Sequence, residues 1–206
     1  MKRGFSALGS ALLMLAGVTA ATSLLPTTAQ AQFSDSYQFL KAVRERDGLK
    51  VKGFMDQPGS TLVDTKDQSS GDAALHIVVK GRDIAWINFL AAGGANIDIR
   101  DRDGNTPLIL ASQLGFSDGV KVLLARGANP NARNDSGETP LIYAVQSRDP
   151  LTARALLEAG GDPNLADRIT GLSARDYAER DRRSGAILKM MDDIKPKAAA
   201  PQMGPK

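Results

Sequence analysis

Apolar residues fall along this chain in short bursts separated by polar turns. Between residues 105 and 128, Leu108, Ala111 and Ser112 share one helical face, and Val120, Leu123 and Leu124 form a second stripe. The boundaries are also written in the residues. Thr106-Pro107 opens the first stretch, because a Thr side chain can accept from free amides while Pro has the helical φ already and lacks an N–H that the first turn does not need. Gly115 ends that helix and Gly127 supplies the left-handed stop of the next. The sequence therefore predicts turn, helix, tight turn, helix, loop. Helices of this length are not stable alone, so each must bury its apolar face against neighbours.

The same text recurs. Gly104-Asn105-Thr106-Pro107-Leu108 returns as Gly137-Glu138-Thr139-Pro140-Leu141, 137 − 104 = 33 residues later, and Gly71-Asp72-Ala73-Ala74-Leu75-His76 lies another 33 upstream. A second marker keeps that spacing: Gly94-Ala95-Asn96, Gly127-Ala128-Asn129 and Gly160-Gly161-Asp162. Two signatures in register at one period indicate a repeat architecture.

The pattern G-x-T-P-L-x-x-A followed by L-L-x-x-G-A-x-x-N resembles the ankyrin repeat. The resemblance implies an all-α solenoid of L-shaped units, each with two antiparallel helices and a β-hairpin-like finger, used for protein recognition. Units are expected at about 36–67, 68–100, 101–133, 134–167 and 168–194. The end units should be degenerate, since each faces solvent on one side. In the first, Phe39, Leu40, Ala42, Val43, Val51, Phe54 and Met55 keep the helix pair without Thr-Pro, and the finger at 57–67 looks longer. In the last, Ile187, Leu188, Met190 and Met191 close the stack, and Arg168 and Ile169 carry a one-residue insertion, since 171 − 137 = 34.

The N-terminus has a different character. Lys2 and Arg3 precede an apolar run at 7–21, and Ala29-Gln30-Ala31 offers small residues at the two positions a signal peptidase reads. A signal peptide at 1–31, cut after Ala31, is expected. Gly, Ser and Thr dilute the run and Pro26 ends it, so no membrane span is expected after cleavage. The mature chain would begin at Gln32 and be periplasmic or secreted. Residues 195–206 have no apolar periodicity and read as a flexible tail.

Charge and composition narrow the function. The net charge of +3 comes from the ends: Lys2, Arg3, Lys195, Lys197 and Lys206 lie outside 32–194, which keeps 26 − 5 = 21 bases against 23 acids. That body is slightly acidic, so no nucleic-acid partner is expected. The absence of Cys excludes disulfides and thiolate chemistry, and a single histidine excludes a Ser-His-Asp triad or a multi-histidine metal site within one chain. His76 falls where the repeat family carries Leu-His, and the resemblance gives its ring the job of tying the turn together. Acids such as Asp101 and Asp103 alternate with Arg100 and Arg102 in a finger, where turn formation and mutual neutralisation explain them. Trp86 and Phe89 read as core. No catalytic residue, cofactor or metal is expected.

The resemblance places the recognition surface on the concave side, made of finger tips and the open side of each first helix. It maps to Arg100, Arg102, Asp103, Asn105, Gln113, Leu114 and Arg133, then Asp135, Ser136, Glu138, Gln146 and Ser147, with Ser69, Ser70, Asp72 and Lys80 upstream. This mix suits a polar, charge-complementary partner, with Arg102 and Arg133 as anchors. The expectation is a monomeric, non-enzymatic module that binds a protein in the cell envelope. The alternatives are an inhibitor or immunity factor for a toxic enzyme, or an auxiliary subunit of a periplasmic enzyme.

Overall fold

A computed structural model describes the main chain of residues 27–194 and the side chains of residues 35–194. Most of the expected signal peptide, residues 1–26, and the expected tail, 195–206, lie outside the described residues. The expected cut after Ala31 falls inside the first helix.

Among the described residues, ten α-helices form five consecutive pairs: α1 (Thr27–Glu45) with α2 (Gly48–Met55), α3 (Ala74–Lys80) with α4 (Ile84–Ala92), α5 (Pro107–Gln113) with α6 (Ser117–Ala125), α7 (Pro140–Gln146) with α8 (Pro150–Glu158), and α9 (Ala174–Arg180) with α10 (Gly185–Asp193). First helices pack on first helices in the order α1, α3, α5, α7, α9, and second helices stack as α4, α6, α8, α10. The result is the all-α repeat solenoid expected. Between pairs run four fingers, at 65–73, 99–106, 132–139 and 166–173. The first and last carry isolated antiparallel bridges, Lys66 to Ala73 and Ala166 to Ser173.

The Thr-Pro openings work as read: Thr106 and Thr139 Oγ1 accept from Ile109 and Ile142 N–H, each at 3.3 Å. The core is a continuous aliphatic column. Phe39, Leu75, Ile87, Leu108, Leu123, Leu141 and Leu156 are buried in successive units, each contributing roughly 1.5–3 kcal/mol. At the ends, Val51, Ile187 and Met191 are buried, whereas Phe54, Met55, Leu188 and Met190 are only partly covered. Trp86 and Phe89 pack edge to face at 5.2 Å against that core.

Neighbouring units are stitched at a loop that repeats. The Asp64 carboxylate accepts from Asn96 N–H at 2.8 Å, Asp98 from Asn129 N–H at 3.0 Å, and the Asn131 amide oxygen from Asp162 N–H at 2.8 Å. Each bond joins one pair's outgoing loop to the main chain of the next.

Candidate functional site

Every finger is organised by an Asp or Asn at its base. Asp67 accepts from Ser69 and Ser70 N–H, Asp101 from Asp103 and Asn105 N–H, Asn134 from Glu138 N–H, and Asp167 from Ile169 and Thr170 N–H. These are the side-chain turns that Asp and Asn favour. The Ser69 hydroxyl, the Arg44 guanidinium and these amides hold the Asp67 carboxyl far below its ordinary range. Burial opposes ionisation of Asp167, but Thr170, Tyr177 and Ile169 outweigh it and bring that carboxyl down to about 2.

The fingers then grip one another. Asp135 N–H donates to Asp103 O at 3.1 Å, and Arg168 N–H to Ser136 O at 2.8 Å. Gly104 cannot be replaced where they meet: its φ is +76°, and a Cβ would lie 2.3 Å from the Asp135 carboxylate. Arginine side chains add to the grip. Arg102 donates to Gln68 O at 2.6 Å and Arg168 to Asp135 O at 3.3 Å, while Arg133 donates to Gly137 O at 3.0 Å and also to Ala166 O.

Of the residues expected on the recognition strip, Arg100, Arg102, Asp103, Gln113, Asp135, Gln146 and Ser147 are exposed. Arg133, Ser136 and Glu138 are half-buried, as is Leu114, which packs against the core. Arg133 is thus a brace between two fingers as much as a contact residue. Asp72 is only 8% exposed and is held by Lys80 at 2.7 Å.

Asn105 sits at the centre of a polar cluster. Its side-chain oxygen accepts from Asn134 Nδ2 at 3.1 Å; that amide also reaches Glu138 Oε2 and Tyr143 Oη, and Tyr143 donates to Glu138 at 2.6 Å. Burial, then the hydrogen bond to Glu138, raises the Tyr143 phenol above its ordinary value. Neither Asn134 nor Tyr143 stands out in the sequence. Tyr143 does carry a signal, because it takes the place of Leu110 one period earlier, 143 − 110 = 33, and a phenol there needs a polar partner.

His76 performs the tie the resemblance implied. Its Nδ1 accepts from Ala73 N–H at 3.2 Å, and Nε2–H donates to Asn105 O at 2.9 Å in the next finger. The ring is completely buried, and burial lowers its pKa below the ordinary 6.5. A neutral ring suits both bonds.

The opposite edge, where first helix turns into second, carries a second arginine row. Arg46, Arg82 and Arg148 have φ of +60°, +51° and +54°, and Gly115 takes the same place at +58°. Arg46 pairs with Asp83 at 2.8 Å and lies over the Trp86 ring at 5.6 Å; Arg148 pairs with Asp181 at 2.6 Å; Arg82 reaches Leu114 O and lies over Phe116. Asp83 and Asp149 also cap the helices that follow them.

What the arrangement offers is a broad polar face with anchored fingers. A scan against protein-family models matches ankyrin repeats, in three copies, over residues 39–134 and again over 75–167. The chain belongs to the ankyrin-repeat family. Ankyrin repeats are protein-interaction modules, so a protein partner follows from the family, and the repeat itself is typically non-enzymatic. Among the described residues, no helix of this ankyrin stack is long and apolar enough to cross a membrane.

Proposed function

We propose that this ankyrin-repeat protein holds a protein partner on its finger face, outside the cytoplasm, without catalysing a reaction on it. The supporting observation is the state of the finger arginines. Arg102 and Arg168 are bonded to neutral carbonyls, so their positions are fixed while their charge is left for a partner. Asp103 and Asp135, exposed beside them, make the face mixed in sign. A partner matched to that pattern would be steered and oriented by it, with Arg100, Arg102, Gln113 and Gln146 as direct contacts.

The leader pattern supports export, with Gln32 as the first residue of the mature protein. Mass measurement of the protein recovered from its cell tests this: a chain retaining Met1 and found only in the cytoplasm would defeat the placement. Binding is tested by cross-linking captured partners to the wild-type protein and to Arg102→Glu/Asp135→Lys. Recovery of the same partner in equal yield from both would defeat the finger-face reading.

A further inference from the structure

Each later finger takes hold of the one before it. Arg102 reaches back to Gln68 O, Asp135 N–H to Asp103 O, and Arg168 N–H to Ser136 O. Arg102, Asp135 and Arg168 occupy one equivalent position, immediately after the Asp or Asn that organises the finger. Gln68 holds this position in the first finger, and no finger precedes it. Helix α1 lies on that side instead, and between helix and finger runs an open groove of about 700 Å³, within the size range of ligand-binding clefts. The Gln68 N–H has no bond among the described residues, as is also true of the Arg102 N–H in the second finger, whereas Asp135 and Arg168 N–H donate to the finger before them.

The walls give the groove a chemistry. Tyr37 is 61% exposed and supplies an aromatic surface with a hydroxyl. Arg44 is neutralised by Asp67 at 2.6 Å, whereas Lys66 is exposed and makes no ion pair among the described residues. Ser36, Thr65 and Ser69 add hydroxyls. One cationic site beside one aromatic site, along an edge with an unbonded main-chain N–H, is complementary to an extended chain.

We infer that the groove between α1 and the first finger takes an extended segment of a partner protein, in the place of the missing preceding finger. One of its carbonyls accepts from Gln68 N–H, an acidic side chain meets Lys66, and an apolar side chain lies on Tyr37. This rests on the finger face being the binding face, and it names the form in which part of the partner arrives, a strand added to an edge.

The test selects a displayed library of random decapeptides on the full chain. Enrichment of sequences with Asp or Glu two positions from Leu, Ile or Phe is expected, that being the spacing of one face of a strand. Binding of an enriched peptide should fall at least tenfold in Lys66→Glu and in Tyr37→Ala, both surface changes, and the peptide should slow hydrogen exchange at the Gln68 amide. Selection unchanged in both variants, or an unprotected Gln68 amide, overturns the inference. So does self-association that Lys66→Glu abolishes, which would make a second copy the occupant. If peptides fail while Arg102→Glu/Asp135→Lys still weakens partner capture, the groove alone is wrong. If those two changes leave capture intact while the peptides bind, the finger-face reading is wrong and the groove stands.

Discussion

Both long edges of the solenoid carry a row of arginines, and the two rows are used differently. On the turn edge, Arg46 and Arg148 meet carboxylates of the next unit, so their charge is cancelled and the pairing serves the stack. On the finger edge, Arg102, Arg133 and Arg168 meet main-chain carbonyls, which fix a guanidinium without cancelling it. The same residue type is cement on one side and a held-out charge on the other. What decides is whether the neighbouring loop supplies an Asp side chain or a bare backbone oxygen.

The largest stability effect should come from the turn edge at Asp149. Its carboxylate accepts from Leu151 and Thr152 N–H and from the hydroxyls of Ser117 and Thr152, and so ties the next unit to the turn where Gly115 replaces Arg. Asp149→Ala should cost about 2 kcal/mol in urea unfolding, the sum of a lost cap and stranded hydroxyls. Reversing charge on the finger edge should separate function from stability. Arg102→Glu with Arg168→Glu should weaken partner binding by tenfold or more, about 1.4 kcal/mol, while changing folding stability by about 1 kcal/mol, the loss of two exposed bonds between fingers. A stability loss as large as that of Asp149→Ala would erase the contrast between the edges.

Lowering pH divides the edges again. His76 has a folded pKa below its ordinary 6.5, so the unfolded chain takes up the proton first and stability falls as pH drops below about 6.5. Protonated Nδ1 can no longer accept from Ala73 N–H, so the loosening is local to the first two fingers. The turn-edge acids respond later. Arg148 keeps Asp181 below its ordinary value, and at Asp149 burial raises but the Thr152 and Ser117 hydrogen bonds prevail, so both stay ionised there. Thermal melts between pH 7 and pH 5 should therefore show a decline in melting temperature that His76→Gln abolishes. Smallest of all should be Gly115→Arg, which puts arginine at a φ that three others already adopt, with open space around the Cβ. A change within about 1 kcal/mol in urea unfolding is expected, the left-handed backbone and any new ion pair offsetting each other.

The contrast between edges also marks where sequence reading reached its limit. Thr-Pro openings, Gly stops and the period of 33 are local or periodic signals, and the helices follow them. The turn-edge row was missed because no backbone preference points to Arg at positive φ. Its trace is the Arg-Asp dipeptide at 46, 82 and 148, with 148 − 82 = 66, two periods. The first finger's turn holds one residue more than the second's, which the glycine period conceals: Gly71 and Gly104 keep the 33 spacing while Asp67 and Asp101 stand 34 apart. The sequence points to Arg133 as an anchor but not as a brace, because its carbonyl partner, Ala166, lies a full period away and carries no side-chain signature. Tertiary neighbours, not local pattern, decide such residues.

The loop stitches from Asp64, Asp98 and Asn131 bear on how such a chain changes length. All three present an accepting oxygen of similar reach, and the donor is always a main-chain N–H, which any residue but proline provides. A duplicated unit spliced in at one of these junctions would find an acceptor waiting and offer one onward. Lineages can therefore lengthen or shorten the reading surface by whole units, and the unit count is open to selection apart from the chemistry on each finger.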